Sequence, residues 1–206
     1  MYQNRFYSLK LGGKSALDYC VKGTDKSVPF AWPQFQVEGK PSGIPRAFSG
    51  IKRKALTKHI AEISVQGELP CGAVLKLEVR VCEKSPIIRF RYTLSSLRAL
   101  HLTKTSGEEL TYFSYPAPFD VRRTEIRFSN YNYLIHGYCL DEIPAFLYED
   151  DLMGPILTEQ RGDICLLTAY EHGSQYPDKF LAFSRDENGI RLKAVKGNYW
   201  DGQPLD

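Results

Sequence analysis

From Val74 to Leu94 the chain alternates apolar and polar side chains with a period of two. Leu75, Leu77, Val79 and Val81 fall on one face and Lys76, Glu78 and Arg80 on the other. After the turn Glu83-Lys84-Ser85-Pro86 the alternation resumes, with Ile88, Phe90, Tyr92 and Leu94 set against Arg89, Arg91 and Thr93. A period of two places successive side chains on opposite faces of a strand, so this stretch predicts an antiparallel hairpin with one face buried. Arg5 to Leu11 and Ala16 to Val21 flank Gly12-Gly13-Lys14-Ser15 and predict a second hairpin. Further strands are expected over Ile60 to Gln66, Leu110 to Tyr115, Glu125 to Ser129, Tyr133 to Cys139 and Asp163 to Tyr170. Phe180 to Ser184 and Ile190 to Val195 complete the set, joined by a turn through Arg185-Asp186-Glu187-Asn188-Gly189.

No window sustains the spacing of a long amphipathic helix; Ser95 to Leu102 and Ile143 to Asp151 have room for a short one at most. The chain therefore reads as all-β, with large antiparallel sheets packed face to face because each must bury its apolar side. Its 206 residues, without a linker, repeat or low-complexity tract, are expected to form a single domain over 1–206.

Charge changes the picture by exclusion. The 27 basic and 24 acidic residues leave a net charge of +3 with no block of like charge, which argues against nucleic acid as a partner. No apolar run approaches the roughly 18 to 20 residues of a membrane span, and Met1 to Leu11 lacks a secretory core, so no membrane partner is expected. Cys20, Cys71, Cys82, Cys139 and Cys165 are an odd, widely spaced set with no CxxC pair, which fits buried thiols in a reducing cytoplasm.

Catalytic signatures are missing: there is no phosphate-cradling glycine loop, HExxH, GxSxG or CxxC. His59, His101, His136 and His172 are scattered and read singly as surface or core residues. Glu149-Asp150-Asp151 lacks the ligand spacing of a calcium loop and reads as a solvated acidic turn. Aromatic residues carry more information. Several fall in segments rich in proline and glycine, among them Phe30 to Phe35, Tyr112 to Phe119, Tyr131 to Tyr138 and Tyr199-Trp200. Flat rings on loops with amides and carboxylates nearby suit the apolar faces and hydroxyls of sugars, whereas the same rings in a sandwich would cap the core.

The C-terminal run GPILTEQRGDICLLTAYEHGSQYPDKFLAFSRDENGIRLKAVKGNYWDGQPLD, Gly154 to Asp206, resembles the end of the N-terminal domain of bacterial α-galactosidase-like enzymes of glycoside hydrolase family 36. The likeness is densest over AYEHGSQYPDKFLAF and KGNYWDGQPL; residues 1 to 110 resemble the family in strand layout alone. The resemblance implies a β-supersandwich of the galactose mutarotase kind leading into a catalytic (β/α)8 barrel that lies past Asp206. It implies a domain without catalytic residues, cofactor or metal of its own, which shapes the sugar-binding rim of the enzyme and a homo-oligomer interface. Asp186 in SRDENG and Asp201 in YWDGQ echo carboxylate motifs without their context, and they receive no catalytic role.

Family members use a loop of this domain to reach a galactoside pocket, and the resemblance places that loop at Val28 to Pro45, with Trp32, Gln34, Gln36 and Glu38. Pro29 and Pro33 bracket Trp32, so its ring is expected to be exposed at a cleft rim or subunit interface. Substrate-binding candidates are Trp32, Gln34, Gln36, Tyr199 and Trp200. Two alternatives remain: a free-standing carbohydrate-binding module, and an aldose 1-epimerase, which needs a His acid and a Glu base converging on one sugar. The adjacent pair Glu171-His172 suits the epimerase poorly, because neighbouring strand residues point to opposite faces.

Overall fold

The computed structural model describes residues 1–104, 110–117, 122–129, 137–142, 151–152, 155–171, 181–186, 188–194 and 201–205. Its contacts divide the chain into two compact units, Met1–Glu108 with Tyr199–Asp206, and Glu109–Asn198. Every strand pairing is antiparallel and no helix occurs among the described residues, so the all-β reading holds.

In the first unit, β1 (Tyr2–Gln3), β2 (Tyr7–Leu11), β3 (Leu17–Val21) and β4 (Ser27–Phe30) form one four-stranded sheet in sequence order. The expected glycine turn joins β2 to β3, where Gly12 and Gly13 take φ of 77° and 133°, angles that cost a residue without a Cβ little. Next come β5 (Gln36–Val37) and β6 (Lys40–Pro41), followed by β7 (Lys52–Ala55), β8 (Ile60–Glu68), β9 (Val74–Cys82) and β10 (Ile88–Ser95). The last four make a second sheet, ordered β10-β9-β8-β7. Its β9–β10 pair is the hairpin read from the alternation, in a register that sets Leu77 opposite Tyr92 and Val79 opposite Phe90.

These two sheets pack face to face. Leu9, Leu11, Leu17 and Phe30 on one are buried, as are Val65, Leu77 and Val79 on the other, and the Phe30 ring meets that of Phe90. Phe30 and Phe90 have ring centroids 5.6 Å apart, and the Tyr19 hydroxyl donates to the Pro86 carbonyl at 2.7 Å across the same contact. The opposite face of the β7–β10 sheet stays in water, which is why its positions carry charge.

A short strand, β11 (His101–Thr103), closes the main run of this unit. The second unit holds β12 (Thr111–Tyr115), β13 (Arg122–Ser129), β14 (Gly137–Glu142), β15 (Asp151–Leu152), β16 (Ile156–Arg161), β17 (Ile164–Ala169), β18 (Leu181–Asp186) and β19 (Gly189–Ala194). They form two sheets, β12-β19-β18-β15 and β14-β13-β16-β17. Phe113, Phe183, Ile190 and Leu192 of the first are buried with Leu157 and Thr168 of the second. The Tyr170 ring lies 5.6 Å from that of Phe183 and its hydroxyl donates to the Leu181 carbonyl at 3.1 Å, which joins the two sheets. The chain then returns to the first unit, where β20 (Gln203–Pro204) pairs with β11.

Within this second core sits an ion pair. Arg123 on β13 and Glu159 on β16 are direct cross-strand partners, with Nε to Oε1 at 3.0 Å and the arginine only 1% exposed. The Tyr115 hydroxyl shares a hydrogen bond with Thr168 Oγ1 at 3.2 Å, and burial, reinforced by the Glu159 charge, holds its phenol well above the ordinary range.

Candidate functional site

The sheet β20-β11-β5-β6 gathers the segments singled out in the sequence. β5 comes from the loop region Val28 to Pro45, β20 follows the Tyr199-Trp200 pair, and β11 lies between them. Residues 36 and 203, far apart in the chain, are thus brought to the two sides of one three-residue strand.

Its geometry centres on the β5–β6 hairpin. Val37 pairs with Lys40, leaving Glu38 and Gly39 as the two turn residues, at φ of 51° and 72°. Positive φ at both positions is the mirror-image turn that suits the twist of a hairpin, and its first position ordinarily takes Asn, Asp or Gly. Glu38 is an unfavourable choice on backbone grounds, and its side chain supplies the reason. Glu38 Oε1 accepts the His101 backbone N–H at 2.6 Å and lies 2.9 Å from His101 Nδ1. The Glu38 N–H donates in return to the His101 carbonyl at 3.0 Å, and Gly39 N–H donates to Thr103 Oγ1 at 2.8 Å.

His101 hydrogen bonds hold the Glu38 carboxyl below the usual carboxylate range. An ionised carboxylate only accepts, so Nδ1 is the donor of this hydrogen bond and Nε2 is left facing away from it. Both side chains are about half exposed, at 47%. On the far flank of β11, Asp201 Oδ1 accepts the Lys104 N–H at 2.8 Å and Gly202 N–H donates to the Leu102 carbonyl at 2.9 Å. Two carboxylates are therefore tied to β11, Glu38 on its β5 side next to the oriented imidazole and the Thr103 hydroxyl, and Asp201 on its β20 side.

The candidate residues are distributed unevenly around this sheet. Gln36 lies on β5 opposite Thr103 and is nearly buried, while Gln34, two residues earlier, is exposed. Tyr199 and Trp200 lie outside the described residues, immediately before Asp201 in the chain. Trp32 corrects the expectation of an exposed ring. It is 3% exposed, stacked on Phe48 at 5.6 Å and 13°, tilted against Tyr92 at 6.2 Å, with Nε1 donating to the Gly13 carbonyl at 3.0 Å.

The physical reason is that Val28 to Pro45 is not one long loop: it holds the end of β4 and both strands of a hairpin. Its apolar residues Phe30, Trp32, Phe35 and Val37 turn into the core at irregular spacing. Proline brackets fix the path of such a segment without exposing it.

Glu38 was visible as a member of this segment, but its partner His101, 63 residues away, was not. The available signal was the Glu-Gly pair between two short extended stretches, a hairpin turn in which the glutamate needs a reason. Of the other histidines, His59 Nδ1 lies 3.8 Å from Glu83, and His136 and His172 are outside the described residues, as are Glu149 and Asp150. Among the described residues no group of three His, Cys, Asp or Glu side chains could hold a metal ion, and no helix is long and apolar enough to cross a membrane. Cys20, Cys71 and Cys82 are half-buried thiols and Cys165 is exposed. No family model, curated protein or solved structure matches the chain.

Proposed function

We propose that this chain is a carbohydrate-binding β-sandwich domain of the α-galactosidase-like kind, a cytoplasmic, non-catalytic companion of a (β/α)8 barrel on a galactose mutarotase-like supersandwich. The observation that carries the reading is the Glu38–His101 clasp on β11, flanked by Asp201 and Thr103. Carboxylates accept from sugar hydroxyls and the second imidazole nitrogen offers one more hydrogen-bond partner, so groups held by backbone bonds suit a polyhydroxyl ligand. Gln34, two residues before β5, and Tyr199-Trp200, which precede Asp201 in the chain, are the further candidates for contact with the ligand.

An aldose 1-epimerase would place its acid and its base at two different oxygens of one sugar. Glu38 and His101 are bonded to each other at 2.9 Å and so act as one positioned unit, which favours binding over epimerisation. A free-standing binding module would use the same surface.

The test has two arms. Methyl α-galactoside titrated into the protein is expected to shift the amide resonances of residues 36–39, 101–104 and 201–203, and aryl α-galactosides are expected to stay uncleaved. Turnover abolished by a single Asp or Glu substitution, or shifts confined to other strands, would overturn the reading.

A further inference from the structure

The edge of a sheet offers unpaired backbone groups, and most edges of this fold are blunted against pairing. β1, β6, β15 and β20 are two residues long, and β6 and β20 end in proline. β7 carries Lys52, Arg53 and Lys54, β10 carries Arg89 and Arg91, and β14 ends in Asp141-Glu142. β4 contains Pro29, and a bulge breaks β12 between Thr111 and Phe113. β17, the last strand of the β14-β13-β16-β17 sheet, has none of these devices. Its six residues, Ile-Cys-Leu-Leu-Thr-Ala, are uncharged and run in unbroken register along β16.

The ladder fixes what that edge presents. Tyr170 N–H donates to the Pro155 carbonyl at 3.2 Å, which makes these two residues a hydrogen-bonded pair in the β16–β17 register. Bonding sense alternates along an antiparallel strand, so Ile164, Leu166 and Thr168 turn their backbone groups to β16. Cys165, Leu167 and Ala169 turn theirs outward, and among the described residues no strand pairs with that side. The same three residues have exposed side chains, Leu167 at 60%. An uncharged strand that presents both backbone and apolar side chains to water is a template for a further strand.

We propose that this strand is β17 of a second copy, paired antiparallel about a two-fold axis to give a closed dimer. Charge favours a second copy as the occupant. Two β17 strands bring no like charges together, whereas two copies of β7 would set cation against cation. Outward groups must meet outward groups, which leaves two registers of useful length. Centred on Leu167, the pairing sets Asp163 opposite Glu171 at both ends, and like charges placed opposite each other destabilise a ladder. Centred on Leu166, it sets Asp163 opposite Ala169, Ile164 opposite Thr168 and Cys165 opposite Leu167. This register avoids the repulsion, covers each Leu167 with Cys165 of the other copy and joins two four-stranded sheets into one. It uses no residue of the β11 row, so the dimer and the galactoside reading fail separately.

Sedimentation velocity from about 5 µM to about 200 µM is expected to show a dimer of two 23.5 kDa chains whose share grows with concentration. Leu167→Lys is expected to raise the dimer dissociation constant about tenfold or more, because it places two cations in the ladder. Ile87→Lys, at a position 68% exposed beside β10, is expected to leave it unchanged. Folding is checked by circular dichroism, and Cys165→Lys repeats the test if Leu167→Lys does not fold. Leu167→Cys reads the register. A hydrogen-bonded pair has Cα atoms about 5.5 Å apart, within disulfide reach, so this variant is expected to form a covalent dimer on oxidation. Cys165→Ser/Leu167→Cys is expected to form none. A monomer at every concentration, open-ended aggregates in place of a limiting dimer, a dimer untouched by the lysine variants, no covalent dimer in Leu167→Cys, or one that persists without Cys165 would each overturn the proposal.

Discussion

Trp32 lies flat on Phe48, ring centroids 5.6 Å apart at 13°, while its indole N–H donates to the Gly13 carbonyl. The stack closes one end of the first core, where Gly67 also has Phe48 and Pro45 tight against it. Trp32→Ala removes the ring, leaves a cavity and orphans the Gly13 carbonyl. It is expected to cost about 3 to 5 kcal/mol in urea unfolding. A loss below about 1 kcal/mol would mean the ring is not a core residue.

The two faces of β9 separate core from charge. Leu77 is fully buried opposite Tyr92, whereas Arg80 is half exposed. Leu77→Ala is expected to cost about 2 to 5 kcal/mol and Arg80→Ala less than about 1 kcal/mol, since its pair with Glu62 at 3.9 Å is a surface one. Chemical denaturation of the two variants side by side checks the assignment; equal losses would invert it.

Glu78 introduces a pH dependence. The Lys76 hydrogen bond lowers its carboxyl below the ordinary 4.5; burial, next in size, opposes it, and the Arg91 hydrogen bond adds to the lowering. A carboxylate whose folded value is depressed stabilises the fold above its unfolded value and loses that contribution as pH falls through the folded one. The stability gap between the wild-type protein and Glu78→Gln is therefore expected to be full near neutrality and to shrink below about pH 4.5. A gap that stays constant down to acid pH would remove Glu78 from the account.

In the second unit, Arg123 and Glu159 neutralise each other inside a core that excludes water. Arg123→Met leaves a buried carboxylate without its cation and is expected to cost about 3 to 5 kcal/mol. Arg123→Met/Glu159→Leu replaces both charges with apolar groups and is expected to recover most of that loss. Thermal melts of the single and double variants decide it: a double variant as unstable as the single one would mean that the pair contributes more than mutual neutralisation.

Strands with strict alternation were legible in the sequence because their periodicity is itself the record of a two-sided environment. The β9–β10 hairpin appears where Val74 to Leu94 places it, and the Gly12-Gly13 turn joins β2 to β3. The short strands β5, β6, β11 and β20 were not legible, since two or three residues carry no period. Trp32 was misplaced for a related reason: aperiodic burial in a proline-bracketed segment looks like exposure when only local pattern is read. Arg123 and Glu159 occupied apolar-facing positions of their strands, and a cross-strand partner 36 residues away leaves no local trace. Gln34, Gln36 and Glu38 could be named as a group, but the partner that orients Glu38 is set by topology alone.

The central claim is that the Glu38–His101 row on β11 receives a galactoside. The most direct measurement follows the His101 imidazole resonances during titration with methyl α-galactoside, in the wild-type protein and in Glu38→Gln. Ligand is expected to shift the ring signals in the wild type, and Glu38→Gln, which trades the ionised acceptor for an amide, is expected to weaken the titration about tenfold. Ring signals that do not move under saturating galactoside, or an affinity untouched by Glu38→Gln, would contradict the account.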